Sequence, residues 1–240
     1  MEDLIYYLAS AVAVLMVLVP HEFAHAFVAY KCGDGTAKFQ GRLTLNPIKH
    51  FEPTGFVLCL LTGFGWAKPV PIYPSNFRNY RKGLFLTAIA GVTANYIIAF
   101  IAYPLYLLIA LYVQPANQVG AYAVYFFEYS FFLIFVFSLS IFIFNLLPFY
   151  PLDGFRVIES FTRQVNPVRR FLRNYGFYIL MALVIESFVC DFLVRYLNIG
   201  IFEYFDILGY VQLFARRIVG FPITALWNVI FGLPFNFTVL

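Results

Sequence analysis

Long apolar stretches separated by short polar segments dominate the chain, and a helix needs about 20 apolar residues to cross a bilayer. The stretches that meet this length are Leu4–Tyr30, Leu84–Val113, Ala121–Leu147 and Tyr175–Leu197. The segment Ile207–Leu240 is also apolar, but Arg216 and Pro222 interrupt it. The pattern therefore predicts four spanning helices and a weaker last span.

A shorter apolar segment, Phe56–Phe64, lies between the first two predicted spans and is too short to cross comfortably. The sequence that follows it, Gly65-Trp66-Ala67-Lys68-Pro69-Val70-Pro71, is a poor helix former. Irregular backbone survives at membrane depth only where protein or water satisfies its polar groups. We predict a re-entrant or interfacial element here, which could act as a gate or as an edge that binds unwound substrate.

The composition agrees with a membrane protein. The 240 residues are 62% hydrophobic, 21% aromatic and 12% charged, whereas soluble domains carry about 25% charged residues. Cys32, Cys59 and Cys190 form no Cys-x-x-Cys pair, so a thiolate zinc site and a disulfide framework are not expected. We predict an all-α, polytopic transmembrane helical bundle that forms a single membrane-embedded domain over residues 1–240, with no nucleic-acid partner.

The charged residues indicate how the helices are oriented. The first basic segment holds Lys31, Lys38, Arg42, Lys49, Lys68, Arg78, Arg81 and Lys82. The second holds Arg156, Arg163, Arg169, Arg170 and Arg173, whereas the other loops carry mainly acids, including Asp191, Glu203 and Asp206. Basic loops face the cytoplasm. This rule places both basic segments inside and the N-terminus outside, provided that Phe56–Phe64 does not cross.

Residues 21–25 read His-Glu-Phe-Ala-His and lie inside the first predicted span. Ionisable groups at bilayer depth are costly and normally signal function. On a helix, His21 and His25 are one turn apart on one face, where two imidazoles can bind one metal ion. Glu22 then stands beside the ion as a candidate general base. The motif predicts a metallohydrolase that works within the membrane.

A catalytic zinc ion usually has three protein ligands, so the motif needs one more. The best candidate is Asp153, in the run Asn145-Leu146-Leu147-Pro148-Phe149-Tyr150-Pro151-Leu152-Asp153-Gly154 at the end of the third strong span. Pro148 and Pro151 each remove a backbone donor and prevent regular helix. Gly154 permits a turn that aims Asp153 inward. The predicted topology puts Asp153 and the two histidines at compatible depths.

These two motifs, in this order and on separate spans, resemble the site-2 protease family of intramembrane zinc metalloproteases. Residues 41–47 (Gly-Arg-Leu-Thr-Leu-Asn-Pro) and 65–71 are similar to the short bacterial and archaeal branch, which has neither PDZ nor CBS domains. Residues 91–95 (Gly-Val-Thr-Ala-Asn) resemble the family's Gly-Pro-x-x-Asn element, with Val92 in place of proline. The resemblance covers about residues 10–165, and 166–240 add further helices.

The resemblance implies one zinc ion bound by His21, His25 and Asp153, with Glu22 as general base and later proton donor. It also implies that Asn95 and Asn145 hold the substrate backbone or the developing oxyanion. The expected activity is hydrolysis of peptide bonds in or near transmembrane helices of single-pass or signal-peptide-like membrane proteins. We expect a prokaryotic plasma-membrane protein with its active site near the cytoplasmic face.

Other interpretations stay open at this point. The same ligands could form the transit site of a divalent-metal transporter, although no repeat with broken helices is visible. The chain could also be a catalytically inactive membrane-protein binder. Asp153 could cap a helix, and Asn95 and Asn145 could be interhelical hydrogen-bond partners. His50 is a possible ligand but is better explained as an interfacial residue, and the identity of the divalent ion is open.

Overall fold

The computed structural model describes residues 2–62 and 68–234, and all regular elements in these ranges are helical. The helices are α1 (Glu2–Cys32), α2 (Thr36–Phe39), α3 (Pro47–His50), α4 (Pro53–Thr62), α5 (Tyr80–Tyr112), α6 (Gln118–Leu146), α7 (Asp153–Phe161), α8 (Pro167–Arg195) and α9 (Ile207–Ile230). Single 3₁₀ segments cover Pro74–Asn76 and Gly200–Phe205.

Five of the described helices, α1, α5, α6, α8 and α9, are long and apolar enough to cross a membrane. These helices coincide with the four strong predicted stretches and the weaker last one, and the all-α polytopic class is confirmed. Side-chain caps help to fix where several of these helices begin. Asn79, Asn117 and Asn166 accept hydrogen bonds from the backbone N–H three residues later, at the starts of α5, α6 and α8.

The densest packing joins α1, α5 and α6. Small residues of α1, including Ala9 and Ala13, are fully buried there against aromatic residues such as Tyr103 and Phe135. The rings of Tyr103 and Phe135 lie with centroids 4.8 Å apart. Within lipid, helices associate through close van der Waals packing, which small residues permit. These three helices form the scaffold on which the candidate site is built.

The segment after α1 does not cross the bundle. Helix α4 has 10 residues, about 15 Å at a rise of 1.5 Å per residue. Phe51 and Phe56 line a small cavity together with Val14 and Leu18, which lie in the middle of α1. The chain around α4 therefore lies beside the central part of the first span, as expected of a re-entrant or interfacial segment. The rest of the predicted element, residues 63–67, lies outside the described residues.

Helix α9 runs in the same direction as α5. The Tyr103 hydroxyl donates to Asn228 Oδ1 at 2.8 Å, and the Trp227 indole donates to the Phe100 carbonyl at 3.1 Å. Near the start of α9, Leu208 is buried in a cluster with Leu147. We call the end of the bundle where α6 stops and α7 begins the motif end, and α9 starts there.

Helix α8 also starts at the motif end, because Arg169 in its first turn pairs with Glu159 of α7. After α8 the chain turns back, and the Ile207 N–H lies 3.4 Å from Glu186 Oε1, two turns before the helix ends. The chain thus returns to the motif end before α9 begins. The charge pattern predicts that Glu203 and Asp206 lie opposite the basic segments, and the helix directions do not fit that assignment. The physical reason is that the chain reverses after α8, so that Leu208 near the start of α9 packs in a cluster with Leu147.

Candidate active site

Helix α1 presents two imidazoles to the interior of the bundle. His21 and His25 are both 4% exposed. Their Nε2 atoms are 3.0 Å apart, and the two rings are nearly perpendicular, at 84°. The one-turn spacing expected from the sequence therefore places both rings at one point.

Asp153 reaches the same point from α7. Its Oδ2 atom lies 3.0 Å from His25 Nε2 and 3.5 Å from His21 Nε2. Helix α6 stops at Leu146, and the proline-containing segment 147–152 is not helical, as its sequence predicts. Leu152 occupies the N-cap of α7 and Asp153 is the first helical residue. The capping alternative for Asp153 therefore does not describe its position.

Gly154 is needed because the start of α7 lies very close to the end of α6, and it does not form the turn expected from the sequence. It lies inside α7, and a Cβ atom there would come within 2.3 Å of the Leu146 carbonyl oxygen and 2.4 Å of the Leu147 carbonyl oxygen. Real Cβ contacts are essentially never this short. The absence of a side chain lets α7 begin directly against the end of α6, which brings Asp153 to the histidines.

The three side chains fit a zinc ion. Their ligand atoms all lie within 4.8 Å of one another, and all three residues are buried. Four-coordinate tetrahedral zinc, with ligands at about 2.0–2.2 Å, sets ligand atoms roughly 3.3–3.6 Å apart. The observed separations of 3.0, 3.0 and 3.5 Å are close to this value. Two imidazoles and one carboxylate are also a donor set that catalytic zinc sites use.

Helix α5 supports the histidines through residues spaced four apart, which share one face. The Thr87 carbonyl oxygen lies 2.7 Å from His25 Nδ1, and the Asn95 amide lies 3.1 Å from His21 Nδ1. Gly91 lies between them, where a Cβ atom would come within 2.4 Å of His25 Nε2. The sequence indicated Gly91 and Asn95 through resemblance but missed Thr87, which contributes a backbone carbonyl.

Glu22 lies next to the histidines and is hydrogen-bonded to the segment that begins at residue 68. Its Oε2 atom accepts a hydrogen bond from the Val70 N–H at 2.9 Å. The Arg42 guanidinium donates to the Lys68 carbonyl at 2.6 Å and contacts the Pro69 carbonyl at 3.3 Å. Arg42 from the first segment with family resemblance thus contacts residues 68–69 of the second, and Val70 of the second contacts Glu22.

A buried acid, Asp34, holds the part of this loop around residues 73–76 by hydrogen bonds. Asp34 is 1% exposed and accepts hydrogen bonds from the Tyr73 N–H at 2.7 Å and from the Asn76 side chain at 3.0 Å. Burial raises the pKa of the Asp34 carboxyl, but the hydrogen bonds from Asn76, Thr36 and the Tyr73 backbone outweigh it, so the pKa lies below its ordinary value. Asp34 therefore holds the loop as a carboxylate.

Asn145 and His50, the two remaining candidates from the sequence, make hydrogen bonds to nearby backbone carbonyls. The Asn145 amide donates to the Ile141 carbonyl of its own helix at 3.1 Å. His50 is 2% exposed, and its Nε2 lies 2.8 Å from the Thr44 carbonyl oxygen. His50 does not belong to the metal-ligand group found among the described residues, and the role of Asn145 on substrate stays a prediction. His50 is buried in the loop structure, and its position at the membrane interface stays a prediction.

A buried ion-pair cluster joins α7 to α8 and was not found from the sequence. The Glu159 carboxylate pairs with both Arg169 and Arg173. Glu159 is 9% and Arg169 5% exposed, and Arg169 also donates to the Thr162 carbonyl at 3.2 Å. The charge pattern alone explains both arginines only as topology signals. Their partner is an acid on the helix that carries Asp153, so they also fix the position of that helix.

The fold and this site define a helical membrane protein with a buried two-histidine, one-aspartate metal centre and a glutamate beside it. Comparison with known proteins then gives the family. The sequence profile described as "Peptidase family M50" matches residues 9–186, and the chain belongs to this family.

Curated relatives agree with the assignment. The chain is 39% identical over 207 residues to "Putative zinc metalloprotease YwhC" of Bacillus subtilis, covering 83% of this chain and 93% of that protein. It is 29% identical to "Putative zinc metalloprotease Rip2" of Mycolicibacterium smegmatis, covering 71% of this chain and 64% of the relative. A Rip2 protein of Mycobacterium tuberculosis is 28% identical over 62% of this chain and 55% of its own length.

No solved structure shows a significant match to the chain. The family and the relatives confirm the predicted site-2 protease resemblance, the enzyme class and the zinc cofactor. The protein is a zinc metalloprotease with helices suited to a multi-pass membrane protein.

Proposed function

We propose that this metalloprotease is an intramembrane endopeptidase that cleaves transmembrane helices of other membrane proteins near their cytoplasmic ends. The ligands would be His21, His25 and Asp153, and Glu22 would be the general base. The observation that carries the proposal is that this group is buried inside a bundle of apolar helices.

The depth of the site supports this substrate class. At a rise of 1.5 Å per residue, His21 lies roughly 16 Å and His25 roughly 10 Å along the axis from the end of α1 at Cys32. Helix α1 has 31 residues and is about 46 Å long, longer than a hydrocarbon core of about 30 Å. A bond cleaved at the level of the histidines would thus lie inside the membrane but nearer one surface.

When bound, zinc supplies Lewis-acid chemistry, in which it polarises a substrate carbonyl and makes water more acidic. The protein residues would do the rest. His21, His25 and Asp153 would hold the ion, and Glu22 would take a proton from the attacking water and return it to the leaving amine. The Val70 N–H donates to Glu22 Oε2, which leaves Oε1 to receive that proton. We infer that this bond orients the base.

The loop beside Glu22 would bind an unwound substrate through fewer backbone hydrogen bonds than a free strand edge offers. The Lys68 N–H donates to the His50 carbonyl at 3.0 Å, and the Val70 N–H donates to Glu22. Pro69 and Pro71 have no N–H to offer. The described part of this segment therefore has no unoccupied backbone N–H to donate to an unwound substrate, but it has carbonyl oxygens that can accept. A substrate strand added here would be held only by its own N–H groups donating to these carbonyls.

The proposal is tested with purified protein in liposomes and a panel of single-pass model substrates. Each substrate carries one Gly-Gly or Asn-Pro pair, which weakens the helix, at a different depth. We expect cleavage by the wild type only when the pair lies about 2–8 Å below the cytoplasmic edge of the hydrocarbon core. This is the depth of the two histidines when α1 extends equally beyond both edges of the core. Mass spectrometry of the products locates the cut.

The matched variants are Glu22→Gln and Glu203→Gln, which both replace a carboxylate by an amide. We expect Glu22→Gln to bind zinc normally and to lose cleavage by at least about 100-fold. Glu203 is exposed and does not belong to the buried metal-ligand group, so Glu203→Gln should cleave like the wild type. Equal cleavage by Glu22→Gln and the wild type would overturn the proposed mechanism.

A further inference from the structure

The environment of His21 Nδ1 determines what Asn95 does. His21 Nε2 faces His25 Nε2 and Asp153 Oδ2, at 3.0 and 3.5 Å, so Nε2 is the atom that would bind a metal. A neutral imidazole that binds a metal through Nε2 carries its proton on Nδ1. That N–H is buried and needs an acceptor, because a buried donor without a partner costs about 1–3 kcal/mol.

The group beside His21 Nδ1 is the Asn95 amide. Its Nδ2 atom lies 3.1 Å from His21 Nδ1, and its Oδ1 atom is buried without a hydrogen-bond partner. An amide nitrogen only donates, so this arrangement suits a His21 whose proton is on Nε2. That tautomer cannot bind a metal through Nε2.

A 180° rotation of the amide about the Cβ–Cγ bond exchanges the positions of its oxygen and nitrogen. The oxygen then lies at hydrogen-bond distance from His21 Nδ1 and accepts its proton. The unpartnered Oδ1 atom shows that its present position gives the oxygen no hydrogen bond to lose. His25 needs no such change, because the group beside its Nδ1 is the Thr87 carbonyl oxygen, which is always an acceptor.

The position of Asn95 argues against a direct role on substrate. Asn95 is 0% exposed and contacts His21 at Nδ1, whereas the ligand atoms gather at Nε2 on the other side of the ring. The imidazole therefore stands between the amide and the metal position. The resemblance implied that Asn95 holds the substrate backbone or an oxyanion, and this contact supports a different role.

We propose that Asn95 is a positioning residue for the metal site, with its amide oxygen accepting the Nδ1–H of His21 and thereby fixing the tautomer that binds zinc. Outer partners of metal-binding histidines act in this way, and their loss typically lowers metal affinity 10- to 100-fold. The inference rests on the proposed role of His21 as a ligand. It predicts that zinc affinity, and not only catalysis, depends on Asn95.

The test measures zinc affinity by chelator competition in purified full-length protein, without any substrate. Asn95→Leu has no acceptor, and we expect it to bind zinc about 10- to 100-fold more weakly than the wild type. Asn95→Asp keeps an acceptor at the same place, and we expect its affinity within about threefold of the wild type. Cobalt substitution and the absorption spectrum of the ion report the ligand geometry independently.

Asn228→Leu is the matched control. Asn228 is also 0% exposed, but it lies on α9 beside Tyr103 and not beside the histidines. We expect a lower melting temperature with unchanged zinc affinity, which separates loss of stability from loss of the ligand support.

The possible results distinguish this inference from the proposed function. If the wild type binds zinc and Asn95→Leu binds it equally well while losing cleavage, Asn95 acts on substrate and the positioning role is wrong. If Asn95→Asp is as weak as Asn95→Leu, the acceptor is not what matters, and the inference is again wrong. If the wild type itself binds no zinc, the proposed metal chemistry fails first.

Discussion

The helices that carry the site and the helices at the end of the chain are packed very differently. In the most apolar windows of α1 and α5, 44% and 39% of the residues are buried, against 17% for α8 and 28% for α9. A Cβ atom added at Gly91 would come within 2.4 Å of His25 Nε2, so there is no room for it beside the histidines. A Cβ atom added at Gly200 would have no other atom within 4 Å. The metal chemistry is built where the packing leaves the side chains least freedom.

The largest effect should come from filling the space between α5 and the histidines. A methyl group at Gly91 would lie 2.4 Å from His25 Nε2 and 2.6 Å from His21 Cε1, so the rings or the helix must move. We expect Gly91→Ala to lower zinc affinity by about 100-fold or more, as measured by chelator competition. Gly200→Ala is the control from the loosely packed region and should bind zinc like the wild type; equal affinities for both variants would contradict this account.

The direction of the last helices can be tested by cysteine labelling. In a background without the native cysteines, single cysteines replace Gln118 at the start of α6, Arg163 after α7, and Glu203 after α8. All three positions are exposed. Sealed vesicles are treated with an impermeant maleimide from one side at a time. We expect Glu203→Cys to be labelled from the side that labels Arg163→Cys. From the side that labels Gln118→Cys, its labelling should be at least about tenfold lower. Labelling of Glu203→Cys together with Gln118→Cys would show that α8 crosses completely.

Much of the fold and the core of the site could be predicted from the sequence. The apolar runs predicted the five long helices, since burial of the backbone in lipid demands helix. The motif and the proline-rich run led to His21, His25 and Asp153, which the structure brings together. The direction of α9 could not be predicted in this way, because hydropathy measures how long a helix is and not which neighbour it packs against.

The supporting residues were harder to find for a different reason. Thr87 contributes a backbone carbonyl, which any residue type could supply, so its identity carries no signal. Its spacing of four from Gly91 and Asn95 was the available indication. Glu159 looked like an ordinary acid on a short helix, and only tertiary contact shows that it pairs with Arg169 and Arg173.

The ion-pair cluster of Glu159, Arg169 and Arg173 should stabilise the contact between α7 and α8, although α8 is otherwise loosely packed. Glu159→Gln leaves the buried Arg169 guanidinium without its carboxylate, and breaking a buried pair costs about 3–5 kcal/mol. We expect a loss of about 3 kcal/mol in the free energy of unfolding, as measured by denaturant titration in detergent micelles. Glu203→Gln, at an exposed site, should change it by less than about 0.5 kcal/mol. Similar losses for the two variants would mean that the cluster does not stabilise the α7–α8 contact.

The smallest effect concerns Asp34 and depends on pH. Because the folded protein lowers the pKa of Asp34, the carboxylate stabilises the fold fully above its unfolded pKa of about 3.9. That stabilisation is lost as pH falls through the lower, folded-state pKa. We expect Asp34→Asn to unfold about 1 kcal/mol more easily than the wild type at pH 7, and the difference to shrink below about pH 4. A difference that stays constant down to pH 3 would contradict the charge-based explanation.

The central claim is that two imidazoles of α1 and one carboxylate of α7 bind a single zinc ion inside the bundle. The most direct measurement is the zinc content of purified wild type, Asp153→Asn and Asp206→Asn after dialysis against a weak chelator. We expect stoichiometric zinc in the wild type and in Asp206→Asn, and less than about a tenth of it in Asp153→Asn, since the lost ligand cannot be replaced from the buried surroundings. Full zinc occupancy in Asp153→Asn would contradict the account.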